Sequence, residues 1–84
     1  MHEWPDWWNF EIILSPHVIE RMLDRDFSEV ELRAMLEDAE GYRPSVMHGR
    51  YLITTHLADA PWEVVVEPDH LESALTLVTA YRVE

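Results

Sequence analysis

Residues 15–31 have the sequence SPHVIERMLDRDFSEVE, which contains the start signals of two consecutive helices. Ser15 is a favourable N-cap, and Pro16 suits the first helical position because a proline there gives up no needed N–H group. Further on, Ser28 and Glu31 have the spacing of a capping box. The stretch predicts a first helix that ends at about residue 24 or 25, and a second helix that begins after Ser28 and stops near Gly41.

Beyond Gly41 the spacing of apolar residues changes to every second residue, which is typical of strands. We expect strands at residues 46–57, 62–67 and 74–83, with turns between them. The connections are too short for parallel crossovers, so an antiparallel meander is the simplest topology. Alternation predicts that the inward side chains of the middle strand are Trp62, Val64 and Val66. It also predicts that one side of the last strand carries Leu75, Leu77, Thr79, Tyr81 and Val83.

The predicted fold is therefore α+β: two N-terminal helices packed on a four-stranded antiparallel sheet, with a short additional strand near Phe10–Leu14. The 84 residues are expected to form a single domain. It divides into a Trp-rich segment (1–9), a lead-in with two helices (10–41) and a meander (42–84). The Trp-rich segment either covers the small core or forms an exposed patch for a partner or a second copy of the chain.

Composition restricts the functions that the chain can perform. It has 17 acidic residues against six basic ones, for a formal charge of −11, so its long-range field repels nucleic acids and anionic membranes. Cysteine is absent, which excludes disulfides and thiolate metal sites. With no apolar run long enough to span a bilayer and no signal segment, the expected location is cytoplasmic, without membrane association. We expect no cofactor and no metal site.

The first predicted helix carries His17, Arg21 and Arg25 at intervals of four residues, which places them on one face beside the apolar stripe. An imidazole exchanges protons near neutral pH, and a guanidinium binds phosphate through paired N–H groups. These groups suit acid–base chemistry on a phosphodiester. In a purely structural alternative, Arg21 pairs with Asp24 and Arg25 pairs with Glu29 on a solvated helix surface.

The pattern SxHxxxRMxxR at residues 15–25, followed by FSxxE at 27–31, resembles a bacterial domain-of-unknown-function family, number 4258. The resemblance continues in GRYL at 49–52, VVV at 64–66 and VTAY at 78–81, and covers about residues 12 to 82. That family is similar to the RelE and ParE toxins and to the wider barnase-like ribonuclease fold. The resemblance implies the layout of helices and sheet that the sequence patterns also predict.

The resemblance further implies a metal-free ribonuclease or an inactive relative of one. Its catalytic residues would be His17 as the acid or base, Arg21 and Arg50 on the phosphate, and Tyr81 as a base-stacking group or proton donor. Arg25 and Thr79 would contact the substrate. RNA and a cognate antitoxin would be the partners. The strong acidity departs from the toxins, which are usually basic.

In a second hypothesis, the negatively charged surface is itself the binding site. In it, the chain is a non-catalytic binding module that uses its negative charge and Trp-rich segment to bind a basic protein or to form a homodimer. Histidines at residues 48 and 56 share strand parity but lack a standard metal-ligand spacing. The surface potential around His17 discriminates the two hypotheses, since catalysis needs a positive pocket there.

Overall fold

A computed structural model describes residues 4–24 and 26–83 of the chain. The elements in chain order are a 3-10 turn at Asp6–Asn9, strand β1 (Glu11–Leu14), helix α1 (Pro16–Leu23), helix α2 (Glu29–Glu37), and strands β2 (Gly41–Pro44), β3 (Tyr51–Leu57), β4 (Ala60–Asp69) and β5 (Ala74–Arg82). The prediction of an α+β fold with two helices is confirmed. Within the described residues, no helix is long and apolar enough to cross a membrane.

Both helices begin where the capping signals predict. The Ser15 hydroxyl accepts a hydrogen bond from the backbone N–H of Val18, with Pro16 as the first helical residue. In α2, the Ser28 hydroxyl accepts from the Glu31 N–H, and the Glu31 carboxylate accepts from the Ser28 N–H in return. These bonds satisfy N–H groups that have no partner inside the helix, so local sequence fixes both start points.

The sheet is mixed and has five strands in the order β1-β5-β4-β3-β2. Strands β2 to β5 form the expected antiparallel meander, and β1 adds to the edge of β5 in a parallel arrangement. The sheet is therefore larger than the four-stranded antiparallel sheet expected from the sequence. A parallel pairing is possible here because α1, α2 and three strands separate β1 from β5 in the chain.

The long predicted strand at 46–57 is shorter in the structure, because residues 45–50 form a loop between β2 and β3. The backbone of Gly49 has a φ of +85°, a left-handed conformation that glycine adopts without strain. The Ser45 N–H donates to the Arg50 carbonyl across the base of this loop. The apolar residues Val46 and Met47 remain exposed there, so they interrupt the alternation that a strand would require.

One expectation about β5 is wrong: Thr79 and Tyr81 do not share a side with Leu77. Leu77 and Thr79 pair with adjacent residues of β4, which leaves Val78 as the extra residue of a β-bulge. The bulge shifts the alternation by one, so Ala80 is the next buried core residue. Thr79 and Tyr81 consequently lie on the sheet face opposite the main core.

The core lies between the two helices and one face of the sheet. Val18 of α1, Leu32 and Met35 of α2, and Val64 and Val66 of β4 are fully buried. The middle strand thus has the inward residues that its alternation predicts. At full burial such side chains stabilise the fold by about 1.5–3 kcal/mol each.

The described part of the Trp-rich segment packs into this core. Trp7 is 3 % exposed, and its ring lies 4.9 Å from that of Tyr51. Trp4 stacks on Trp8 with ring centroids 4.3 Å apart and also contacts Tyr42. These contacts place the segment over the edge of the core near β2 and β3, as the covering interpretation predicts. Residues 1–3 lie outside the described part of the chain.

Candidate functional site

Ser15 joins helix α1 to strand β5. Its backbone N–H donates to the Leu77 carbonyl at 3.2 Å, and its hydroxyl donates to the Val78 carbonyl at 2.9 Å. The same hydroxyl caps α1 by accepting from Val18. β1 pairs with β5 only as far as Leu77, so within the described residues the outer edge of β5 has no strand partner beyond that point, and α1 contacts β5. We call this region, formed by α1 and residues 78–82, the α1–β5 junction.

His17 and Arg21 lie on α1 at this junction, on one flank of the buried Val18. The His17 side chain is exposed, whereas that of Arg21 is 30 % exposed. One terminal nitrogen of Arg21, Nη2, lies 3.0 Å from Oδ2 of Asp26. The purely structural alternative predicted that Arg21 pairs with Asp24. The observed partner is instead Asp26, two residues further along the chain. Arg25 lies outside the described residues.

Two buried polar atoms at the junction have no hydrogen-bond partner: Nε of Arg21 and Oγ1 of Thr79. They are the only such side-chain atoms among residues 4–24 and 26–83. Leaving a buried donor or hydroxyl unpaired costs about 1–3 kcal/mol, and native proteins contain few of them. Both belong to residues that the sequence resemblance assigned to the site, on two elements that pack against each other.

Tyr81 participates in a polar network on the same sheet face as Thr79. Its hydroxyl donates to Oε1 of Glu63 at 2.7 Å, and Arg43 donates to Oε2 of Glu63 at 2.6 Å. The hydrogen bond from Tyr81 and the neighbouring Arg43 lower the pKa of Glu63, although partial burial opposes them. The carboxylate of Glu63 and partial burial raise the pKa of Tyr81. Tyr81 therefore keeps its proton at neutral pH and directs it toward Glu63.

Arg50 lies elsewhere, in the loop immediately before β3. Its Nε donates to Oε1 of Glu67 at 3.0 Å, whereas Tyr81 bonds to Glu63. Glu63 and Glu67 are four residues apart on β4, a spacing of about 13 Å along a strand. His17 and Arg21 thus lie together on α1, Thr79 and Tyr81 lie on the adjoining half of β5 on the sheet face opposite the core, and Arg50 is separate from both pairs.

The sequence interpretation did not identify Glu63 and Arg43. Glu63 is the only acidic residue between Trp62 and Val66, and the sequence alone shows this isolation in an apolar segment. In the structure its side chain is 14 % exposed. Its partner Arg43 lies 20 positions away, so their contact depends on the register of β2, β3 and β4. Within the described residues, no group of three or more His, Cys, Asp or Glu side chains could hold a metal ion.

Comparison with known protein families identifies the chain. The family described as "Domain of unknown function (DUF4258)" matches residues 14–82. No curated protein and no solved structure matches the chain. The matched range begins just before α1 and ends with β5, so it contains both helices, the meander and the α1–β5 junction. The chain belongs to this family, the domain of unknown function DUF4258.

Proposed function

We propose that the protein is a metal-independent, ribonuclease-like enzyme whose phosphodiester site is the α1–β5 junction. The observation that carries this proposal is the exposed imidazole of His17 beside the partly exposed guanidinium of Arg21 on one flank of α1. A guanidinium is a suitable donor to phosphate oxygens, and an imidazole exchanges protons near neutral pH. Similarity to the RelE and ParE toxins and the barnase-like fold, and a bacterial and cytoplasmic setting, are parts of the same proposal.

The reaction follows from the chemistry of these residues. The 2′-oxygen of the substrate forms a bond to the adjacent phosphorus, and the bond from phosphorus to the 5′-oxygen breaks, which leaves a 2′,3′-cyclic phosphate. His17 takes the 2′-hydroxyl proton, and water protonates the departing 5′-oxygen. Arg21 stabilises the charge that develops on the phosphorane oxygens.

Tyr81 contributes a ring surface in this proposal. Its hydroxyl proton is directed toward Glu63, so proton donation to substrate would require that bond to break and would leave a phenolate beside a carboxylate. Stacking of a base on the ring leaves the Tyr81–Glu63 bond intact, and such stacking contributes about 1–3 kcal/mol per base. Of the two roles that the sequence left open for Tyr81, stacking is the one that this bond favours.

Cleavage of a labelled single-stranded RNA in the presence of EDTA tests the proposal. We expect His17→Ala to lower the rate by about 10²- to 10⁴-fold, the range for loss of an acid–base group. His56→Ala is the matched control, since His56 pairs with Glu40 at an exposed position on β3. A DNA strand of the same sequence, which lacks the 2′-hydroxyl, should remain uncut. Equal rates for wild type and His17→Ala, or no cleavage by wild type, would contradict the proposal.

A second candidate is the acidic binding module, with a basic protein as its partner. Arg21, Arg33, Arg43 and Arg50 each pair with a carboxylate, so these described cations are locally neutralised in a chain of net charge −11. Such a module would bind an arginine-rich peptide, with an affinity that falls steeply as salt rises. Absence of salt-dependent binding to that peptide removes this candidate. A homodimer through the Trp-rich segment belongs to the same proposal and is tested by light scattering.

A further inference from the structure

A separate pocket of about 350 Å³ lies at one end of the sheet, remote from the α1–β5 junction. The loop between β2 and β3 forms one wall with His48, Gly49 and Arg50. The end of β4 and the turn before β5 form the other wall with Pro68 and His70. This volume falls at the lower end of the range for small-ligand sites, about 300–1,000 Å³. It is large enough for a ligand of nucleotide size.

The residues that line this pocket are basic or uncharged, unlike the chain as a whole. They include Arg50, His48 and His70, and none of them carries a carboxylate, although Glu67 pairs with Arg50. Another cavity, of about 230 Å³, has both Arg33 and Glu37 in its lining. In a protein with 17 acidic and six basic residues, the pocket thus brings one arginine and two histidines together. Their N–H groups suit an anion as ligand despite the net negative charge.

The polar groups of the pocket retain donors for a ligand. Glu67 binds Nε of Arg50, and no hydrogen bond or ion pair within the described residues engages the two terminal nitrogens. No ring nitrogen of His48 or His70 has a hydrogen-bond partner within that same part of the chain. His70 is held by an edge-to-face contact with Phe10, with ring centroids 5.4 Å apart. The pocket therefore presents guanidinium N–H groups that can bind two phosphate oxygens together.

The loop that carries Arg50 and His48 is held in shape by its own hydrogen bonds. The Arg50 N–H donates to the Met47 carbonyl, the Ser45 N–H donates to the Arg50 carbonyl, and the Met47 N–H donates to the Ser45 hydroxyl. Gly49 supplies the positive φ that closes the turn. Ordering these residues before a ligand arrives reduces the entropy lost on binding.

We infer that this pocket binds the phosphate of a nucleotide, with Arg50 as the main phosphate ligand and His48 and His70 beside it. Tyr51, which also lines the pocket, adds an aromatic surface next to the phosphate position. The ligand is a free mononucleotide or one nucleotide of an RNA strand, which share this chemistry. The inference stands without the proposed ribonuclease activity, because no residue of the α1–β5 junction lines the pocket.

Titration of the ¹⁵N-labelled protein with uridine 5′-monophosphate, followed by NMR, tests the inference. We expect saturable shifts of the backbone resonances of His48, Arg50 and His70. Arg50→Gln should weaken binding about tenfold, because it removes a charge-assisted phosphate contact, and His48→Asn should weaken it less. Arg33→Gln is the matched control, since it removes an arginine that pairs with Glu29 outside this pocket.

The ligand series separates phosphate recognition from other binding. Uridine without the phosphate should bind at least tenfold more weakly than its monophosphate. A short oligoribonucleotide that shifts the same residues at lower concentration identifies an RNA strand as the source, and tighter binding of the monophosphate identifies a free nucleotide. The inference is overturned if the pocket resonances do not move, if uridine binds equally well, or if Arg50→Gln and Arg33→Gln have the same effect.

Discussion

Asp26 limits the phosphate affinity of Arg21 in our account, so Asp26→Asn should strengthen the binding of RNA. The Asp26 carboxylate lies 3.0 Å from Nη2 of Arg21, close to where a bound phosphate would meet the guanidinium. Two unit charges at about 4 Å repel by about 1 kcal/mol in bulk water and about 4 kcal/mol at an effective dielectric constant of 20. Because the Asp26 side chain is 44 % exposed, the low end applies. We expect about fivefold tighter binding, the equivalent of about 1 kcal/mol.

The substitution should have little effect on stability. The backbone N–H of Asp26 donates to the Arg21 carbonyl, and asparagine retains this bond. An exposed ion pair contributes about 0–1 kcal/mol, so the free energy of unfolding should fall by no more than that. The binding change is measured as the dissociation constant of a short RNA that carries a 2′-deoxyribose at the cleavage position.

Glu29→Gln is the matched control for net charge. It also removes one acidic partner of an arginine, because Glu29 pairs with Arg33 in α2, but that pair lies outside the junction. Both variants raise the net charge from −11 to −10. Equal gains in the two variants would mean that only long-range charge matters. A loss or no change for Asp26→Asn would refute a phosphate site at Arg21.

Three further predictions concern the junction and its network. Ser15→Ala should destabilise the fold by about 1–2 kcal/mol in urea unfolding, because it removes the helix cap and the bond to Val78; an unchanged midpoint would contradict this. Thr79→Val should raise stability by about 1 kcal/mol, since it replaces an unpartnered hydroxyl; a loss of stability would show that the hydroxyl is satisfied. The lowered pKa of Glu63 stabilises the folded state above about pH 4.5, its ordinary value, and this stability is lost as the pH falls through the folded pKa. Tyr81→Phe should therefore reduce the loss of unfolding free energy as the pH becomes acidic. An identical loss in both proteins would exclude the Tyr81–Glu63 bond as its source.

The helices were predictable because their signals are local. A cap and its N–H partner are three residues apart, as for Ser15 with Val18 and Ser28 with Glu31, so the sequence alone contains both members of each bond. The inward residues Trp62, Val64 and Val66 of β4 were also predictable, because they occupy alternate positions in an apolar segment. These features determined the fold class.

The bulge in β5 was not predictable from alternation. Val78, Thr79 and Ala80 are all compatible with a regular strand, and the extra residue is defined only by the register against β4. Its consequence is large, since it moves Thr79 and Tyr81 to the face where Glu63 lies. The parallel pairing of β1 with β5 was also not predictable, because these strands are far apart in the chain and the short connections between the other strands give no indication of it.

The candidate site was predictable in part. The sequence placed His17 and Arg21 on one helix face, but the carboxylate that pairs with Arg21 lies in the loop after α1, at Asp26. The network of Glu63, Arg43 and Tyr81 joins three strands and could not be derived without their register. Arg50 was grouped with this site by resemblance, whereas the structure places it in a different pocket.

The most direct test of the central claim observes the guanidinium N–H of Arg21 itself. An uncleavable RNA dinucleotide with a 2′-deoxyribose at its scissile position is titrated into ¹⁵N-labelled protein, and the arginine Nε–H resonances are followed by NMR. We predict a saturable shift of the Arg21 Nε–H, with the Arg33 Nε–H unchanged as an internal reference. If the Arg21 resonance stays in place while the dinucleotide binds, or moves no more than that of Arg33, the α1–β5 junction is not a phosphodiester site.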